Sequence, residues 1–180
     1  MSSPFHTPSS IPGQPPPAAP PVPPELPPRT KEIRDKIAQR LPGARVDYVR
    51  ARRIKLTVAP SSLKQSALFL RDELGFDHIS LVGGTDYPAT NDIEVVYFVG
   101  SPLAPGQADF VVLLAERVPR DSPSAPSLCE VWPGAEYHER ETFEMLGVNF
   151  AGHPDLRRLL LPEDWDDIPP LRKDYTSPGR

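Results

Sequence analysis

The chain has 180 residues, of which 38% are hydrophobic and 24% charged, and its formal net charge is −4 at pH 7. This length and apolar content suit one domain with one modest core, and the negative charge argues against a general nucleic-acid-binding protein. The single cysteine, Cys129, excludes an internal disulfide, a thiolate-held iron–sulfur cluster and a multi-cysteine zinc site.

Residues 1–29 are rich in proline, since twelve of the 26 prolines precede Arg29. Few large apolar side chains are present to offset the entropy of ordering, so we predict that this segment is disordered. Its PxxP spacings leave open a ligand for an SH3-like groove or a neighbouring subunit, beside a plain flexible extension. No signal peptide and no apolar run of about 18 residues is visible, which predicts an intracellular protein that meets a membrane only through partners.

The first two helices are predicted from caps and apolar periodicity. Thr30 is expected to cap a helix that runs to about Arg40, with Ile33 and Ile37 on its buried side. A second helix is expected to begin after Ser61 or Ser62 and to end before Gly75.

Strands are predicted where apolar and polar residues alternate, at 44–50, 53–58, 77–83, 92–99 and 108–117. The last two suit a hairpin, and Gly83-Gly84, which lack the spacing of a phosphate-binding loop, are expected to form a turn. The fold class is therefore α+β, with helices packed on one face of a mixed, mostly antiparallel sheet. We predict a domain over 30–147 and an extended C-terminal docking segment over 148–180.

A third helix is expected from Pro133 to Leu146, with Gly147 as its left-handed stop. On a 3.6-residue period, the stripe of this helix that should face the core contains Trp132, Glu136, Glu139, Phe143 and Leu146. Two of these five residues are carboxylates. Spacings of four predict a charge ladder of Glu136, Arg140 and Glu144, and leave Glu139 and Glu141 to pair with Arg157 and Arg158. Because burying ions costs several kcal/mol each, such pairs indicate a specific docking geometry rather than added stability.

Catalytic and metal-binding interpretations of the same region are weaker. His138-Glu139 resembles the start of a zinc-protease motif, but the residue four positions after His138 is Thr142. His138 and His153 could hold a metal with nearby acids, although a loop histidine bonded to a carbonyl or acid is the simpler interpretation. A hydrolase built on His138, Glu139 or Cys129 lacks a nucleophile–base–orienter set, and Cys129 is predicted to be a small apolar filler.

The stretch ERETFEMLGVNFAGHPDLRRLL resembles the signature of the 30 kDa subunit family of the NADH:quinone oxidoreductases, the enzymes of respiratory complex I. TDYP, EVVYFV, VPRDSP, LPEDW and PLRKDY also look like the family, so the resemblance spans roughly residues 30–175. Two positions depart from the usual pattern, because Glu144 stands where Asp is usual and Leu146 where an aromatic residue is frequent.

The resemblance implies a non-redox structural subunit of the hydrophilic arm of a proton-translocating NADH, or related donor, quinone oxidoreductase. Such a subunit docks onto the large quinone-site subunit beside the iron–sulfur subunits, peripherally on the cytoplasmic side of the cell membrane. FMN, iron–sulfur clusters and quinone are expected in partner subunits, and this chain is expected to hold no catalytic, cofactor or metal site. The alternative is the homologous subunit of a membrane-bound energy-converting [NiFe] hydrogenase.

The resemblance and the residue types together predict a subunit interface in the C-terminal third. The expected contact residues are Glu139, Arg140, Glu141, Glu144, His153, Arg157, Arg158, Trp165, Arg172, Lys173 and Tyr175. The helix-free stretch LLLPEDWDDIPPLRKDY is expected to become ordered against another chain.

Overall fold

The structure is a computed structural model, and it describes residues 25–177. The segment predicted to be disordered lies almost wholly outside the described residues, and its last two residues, Pro28 and Arg29, belong to the first helix. Within the described range, no helix has both the length and the apolar character that crossing a bilayer requires.

Three α-helices are present in the described residues: α1 at Pro28–Arg40, α2 at Leu63–Asp72 and α3 at Ala135–Leu146. Helix α1 begins two residues before the predicted cap, because a proline fits the first helical turn, where the missing N–H would have no partner. The Thr30 hydroxyl instead donates to the carbonyl of Ala51 and ties α1 to the sheet. Ser62 does not cap α2 either, since its hydroxyl donates to the Ala59 carbonyl.

The five-stranded sheet has the order β1-β2-β5-β4-β3. Its strands are β1 Arg45–Arg50, β2 Arg53–Val58, β3 His78–Tyr87, β4 Asp92–Gly100 and β5 Val111–Pro119. Only the β2–β5 pairing is parallel, and β4 and β5 form the predicted antiparallel hairpin. The mixed, mostly antiparallel α+β fold is thereby confirmed.

Two short strands were not predicted: β6 at Ser124–Pro126 pairs in parallel with β7 at Asn149–Ala151. Three residues are too few for an alternation to stand out, so the sequence carries no clear signal for them. Their pairing joins the chain before α3 to the chain after it, and it holds Phe150 buried beside the helix.

Gly83-Gly84 do not form the predicted turn. They continue β3 and pair with Val96 and Val95 of β4. A Cβ atom on Gly84 would overlap Cδ1 of Leu146, whereas one on Gly83 would meet nothing within 4 Å. The glycine at 84 therefore allows α3 to lie directly on the sheet.

All three helices contribute to one core on one face of the sheet. Its largest fully buried side chains include Trp132, Tyr97, Phe76 and Phe150. The opposite face carries a smaller apolar cluster that contains no helical residue: Val96, Leu113 and Ala115, with Phe98 and Val111 beside them. The helices pack on one face of the sheet, as predicted, and α3 lies against β3 at the edge of the sheet.

Candidate functional site

Helix α3 is fixed at both ends of its contact with the sheet. Trp132, just before the helix, is buried and donates its indole N–H to the Phe76 carbonyl at 2.9 Å. At the other end Gly147 has a φ of 76°, the left-handed conformation that ends a helix at little cost for glycine. Gly147 also lies against Pro169 and Arg172, where a Cβ atom would come within 3.2 and 3.0 Å of their side chains.

Glu139 projects from α3 into the core and is fully buried. Its carboxylate accepts hydrogen bonds from Tyr97 Oη at 3.1 Å, Ser127 Oγ at 2.7 Å and the Leu128 amide at 2.8 Å. These donors come from β4 and from the loop before α3, so one carboxylate ties three parts of the chain together. Pairing of Glu139 with Arg157 or Arg158, which we expected from the sequence, is therefore wrong.

A second buried carboxylate, Glu116 on β5, lies near Glu139 on the core face of the sheet. It is fully buried, and neither of its carboxyl oxygens has a hydrogen-bond partner. Burial first, and then the charge of Glu139, raise the pKa of Glu116 to about 8. Glu116 is therefore protonated at neutral pH, whereas the donors around Glu139 suit a carboxylate.

Cys129 lies beside this network, with its thiol 3.4 Å from Glu139 Oε2. Burial raises the pKa of the Cys129 thiol to about 12, and the nearby Glu139 charge adds to the effect. Since the thiolate is the nucleophilic form of cysteine, this residue does not act as a nucleophile at neutral pH. It packs against the core, as predicted for a small apolar filler.

Cys129, Glu139 and His153 each place a possible ligand atom within 4.8 Å of the others. Both ring nitrogens of His153, however, already have backbone partners. Nε2 lies 3.0 Å from the Glu136 carbonyl, and Nδ1 accepts from the Asp155 amide at 3.0 Å. His153 thus fixes the loop after β7 to α3, and a metal ion bound to the ring would have to displace one of these two contacts.

Two further side chains of α3 bind the backbone of the chain that follows β7. Arg140 donates to the carbonyls of Arg157 and Arg158, at 2.9 Å each. One turn later, Glu144 accepts from the amides of Leu159 and Leu160. The predicted ladder of Glu136, Arg140 and Glu144 is therefore wrong, because two of its members bind the main chain.

Residues 152–177, called here the C-terminal strap, have no regular secondary structure but are held at many points. Arg158 donates to the carbonyls of Pro162 and Trp165, and the Trp165 and Tyr175 rings lie 5.9 Å apart. Arg157 pairs only with Asp155, and its side chain is 79% exposed. The strap thus has many ordering contacts within its own chain, which the sequence alone did not predict.

The end of the strap is fixed to the sheet through Asp86, whose carboxylate is fully buried at the end of β3. Arg120 binds Asp86 with two hydrogen bonds and pairs with Asp174, while the Lys173 amide donates to Asp86 at 2.8 Å. Burial alone would raise the pKa of Asp86, but the bonds from Arg120 and Lys173 outweigh it and lower that pKa. Arg172 adds a bond to the Leu146 carbonyl.

The predicted contact residues thus fall into different environments. The strap is held to α3 and β3 through Arg140, Glu144, His153, Arg172 and Lys173. Arg158 joins two parts of the strap to each other, while Glu139 lies inside the core and Glu141 is exposed on α3. Glu116, Asp86 and Arg120 were not predicted from the sequence. For Asp86 and Arg120 a signal existed, since both lie in stretches that resemble the family.

The description "Respiratory-chain NADH dehydrogenase, 30 Kd subunit" belongs to a family model that matches residues 56–180. The corresponding subunit of the F(420)H(2) dehydrogenase of Methanosarcina mazei is 41% identical over 123 residues, which cover 68% of this chain and 75% of that protein. The corresponding subunit of the NADH-quinone oxidoreductase of Chlorobium phaeobacteroides is 45% identical over 111 residues, covering 61% and 64%.

Two solved structures share the fold at 23% identity. One is a chain of the membrane-bound sulfane sulfur reductase, an archaeal respiratory membrane complex, with a TM-score of 0.72 over 82% of this chain and 86% of that one. The other is a trypsin-resistant fragment of Nqo5, with a TM-score of 0.59 over 71% of this chain and 99% of the fragment.

Proposed function

From the premise that this chain belongs to the 30 kDa subunit family of respiratory-chain NADH dehydrogenases, we propose its place in an energy-converting complex. It is a non-redox structural subunit of the hydrophilic arm of a proton-translocating quinone oxidoreductase. It docks onto the large quinone-site subunit, next to the iron–sulfur subunits, and it is needed for assembly and for electron transfer to quinone. Its attachment to the cytoplasmic side of the cell membrane goes through these partners.

The observation that supports this proposal is what the side chains of the family signature bind in the structure. Its charged residues, Arg140, Glu144 and Arg158, bind backbone groups of the strap, and Glu139 is saturated by donors in the core. The three charged residues shape the surface of the strap, and Glu139 fixes the helix beneath it, instead of converging on a cleft where a substrate could react. That surface is what a docking subunit has to supply.

FMN, the iron–sulfur clusters and quinone are proposed to lie in the partner subunits, and electrons to bypass this chain. Of the donors considered, NADH, reduced F420 and ferredoxin, the first two are favoured, because relatives of comparable identity are subunits of an NADH-quinone oxidoreductase and of an F(420)H(2) dehydrogenase. The names of these relatives favour a quinone-linked or F420H2 dehydrogenase over the hydrogenase alternative.

The proposal is tested by affinity purification of the tagged full chain from gently solubilised native membranes, followed by mass spectrometry. We expect the large quinone-site subunit, the cluster-bearing small subunits and antiporter-like membrane proteins in stoichiometric amounts. Subunits that bind NADH or F420 would identify the donor. Recovery of a nickel-containing large subunit, or of the chain alone, would contradict the proposal.

A further inference from the structure

We propose that the strap, together with the exposed side of α3, is a pre-formed docking surface for a partner face that is apolar at its centre and basic at its rim. This inference rests on the proposed function, and it specifies the chemistry of the partner at that site. Three properties of the surface support it: its backbone is fixed in advance, five of its exposed side chains are large and apolar or aromatic, and residues 161–167 carry a net negative charge.

The backbone of the strap is fixed before any partner arrives. Arg140 donates hydrogen bonds to the carbonyls of residues 157 and 158. Glu144 accepts hydrogen bonds from the amides of residues 159 and 160. Since the backbone faces α3, the side chains of Leu159 and Leu160 turn outward, and both are exposed. A surface ordered in this way loses little conformational freedom on binding, which favours affinity.

Apolar exposure is concentrated on this surface. Of seven exposed large apolar or aromatic side chains in the described residues, five lie on the strap or α3: Tyr137, Leu159, Leu160, Ile168 and Leu171. Arg140 lies 5.9 Å from the Tyr137 ring, and the Leu171 amide donates to the Met145 carbonyl, so these positions follow α3 from its first turn to its last. Concentrated apolar exposure of this kind marks a protein–protein contact.

The strap segment between Leu160 and Ile168 carries a net negative charge. Glu163, Asp164, Asp166 and Asp167 are exposed in one bend of the strap, and none of them makes an ion pair within residues 25–177. Arg157 pairs with Asp155, whereas Arg158, which donates to the Pro162 and Trp165 carbonyls, keeps its positive charge beside this bend. Four acids against this one arginine leave the bend with a net negative charge. Complementarity of charge across an interface therefore calls for lysine and arginine on the facing rim.

The test follows release of this chain from the purified complex, immobilised through its large quinone-site subunit, at low and high KCl. The test variant carries E163Q, D164N, D166N and D167N. The matched control carries E32Q, D35N, D72N and E73Q, which removes the same charge from exposed positions of α1 and the α2 end. We expect wild type and control to be released faster as KCl rises, and the test variant to be released about tenfold faster at low KCl with little further salt dependence.

A second pair of variants tests the apolar centre. Leu160→Ser is expected to speed release at all salt concentrations, whereas Leu103→Ser, at a side chain 93% exposed on the loop between β4 and β5, should leave it unchanged. If the test variant with the four acidic residues neutralised is released at the wild-type rate and with the wild-type salt dependence, the proposal of a basic rim on the partner is wrong. The presence of the chain in the complex would still support the proposed function. Absence of the wild-type chain from the complex would overturn both.

Discussion

Glu116 and Glu139 are two buried glutamates that have opposite surroundings within one core. Glu139 is surrounded by donors, which stabilise a carboxylate. Glu116 has no donor and faces the charge of Glu139, so its neutral form is favoured. Placing two carboxyls so close in a core is tolerable only because one of them carries a proton.

The proton on Glu116 makes the stability of the fold depend on pH. Its folded pKa of about 8 lies above the ordinary glutamate value of 4.5, so the folded chain binds more protons than the unfolded chain between those values. The contribution of Glu116 is therefore greatest below pH 4.5 and is lost as pH rises towards 8. Glu116→Gln keeps the shape of the side chain but cannot ionise, so this variant should not lose stability as pH rises. Near pH 9 its free energy of unfolding should exceed that of wild type by a few kcal/mol.

The measurement is the free energy of unfolding of both chains in urea across this pH range. Taking the difference between the two chains cancels the other titrating groups. A difference that stays constant from about pH 5 to about pH 9 would show that Glu116 is ionised in the folded chain over this range, as it is in the unfolded chain, and would contradict the raised pKa of Glu116.

At the scale of elements, the contact between α3 and β3 depends on the absence of a side chain at Gly84. Gly84→Ala should destabilise the fold by about 1–3 kcal/mol, because the new methyl group meets Leu146 and the Glu94 carbonyl and forces the helix away. Gly83→Ala is the matched control, since space is open there. Urea unfolding measures both, and equal losses of stability would contradict the close approach of the helix.

The attachment of the strap to α3 can be tested separately. Glu144→Ala should speed hydrogen exchange of the Leu159 and Leu160 amides roughly tenfold or more, because their acceptor is removed. Glu141→Ala, on the exposed side of the same helix, should leave both amides protected. Unchanged exchange in the Glu144 variant would mean that the strap is ordered by other contacts.

At the scale of the whole molecule, Asp86, Arg120 and Asp174 join the middle of the chain to its end. Arg120→Ala should cost about 3–5 kcal/mol, because it leaves the buried Asp86 carboxylate without its cation. Limited proteolysis should then cut within residues 170–177 more readily than in wild type. Arg45→Ala, which removes an exposed partner of Asp47, is expected to change neither readout.

How far the sequence predicts this molecule depends on whether the cause is local. Alternating apolar residues located the five main strands, and Gly147 correctly located the end of α3. The turn predicted at Gly84 is wrong because glycine is required there by the packing of α3, a helix that begins more than 50 residues later in the sequence. Arg120 finds Asp86 only through the register of β3, β4 and β5, which no local pattern reveals. The sequence predicts Thr30 and Ser62 as helix caps, but their hydroxyls bind the Ala51 and Ala59 carbonyls, and no local pattern indicates these contacts.

The parallel pairing of β2 with β5 has a consequence for how the chain is made. Strand β5 lies at the centre of the sheet between β2 and β4, yet it follows β2 in sequence by more than 50 residues. During synthesis, therefore, β1 and β2 leave the ribosome long before the strand that completes their pairing, and such distant pairing forms slowly. Helix α3 and the strap emerge after all five strands of the sheet, so in a nascent chain the strap can become ordered only once that sheet is available to hold it.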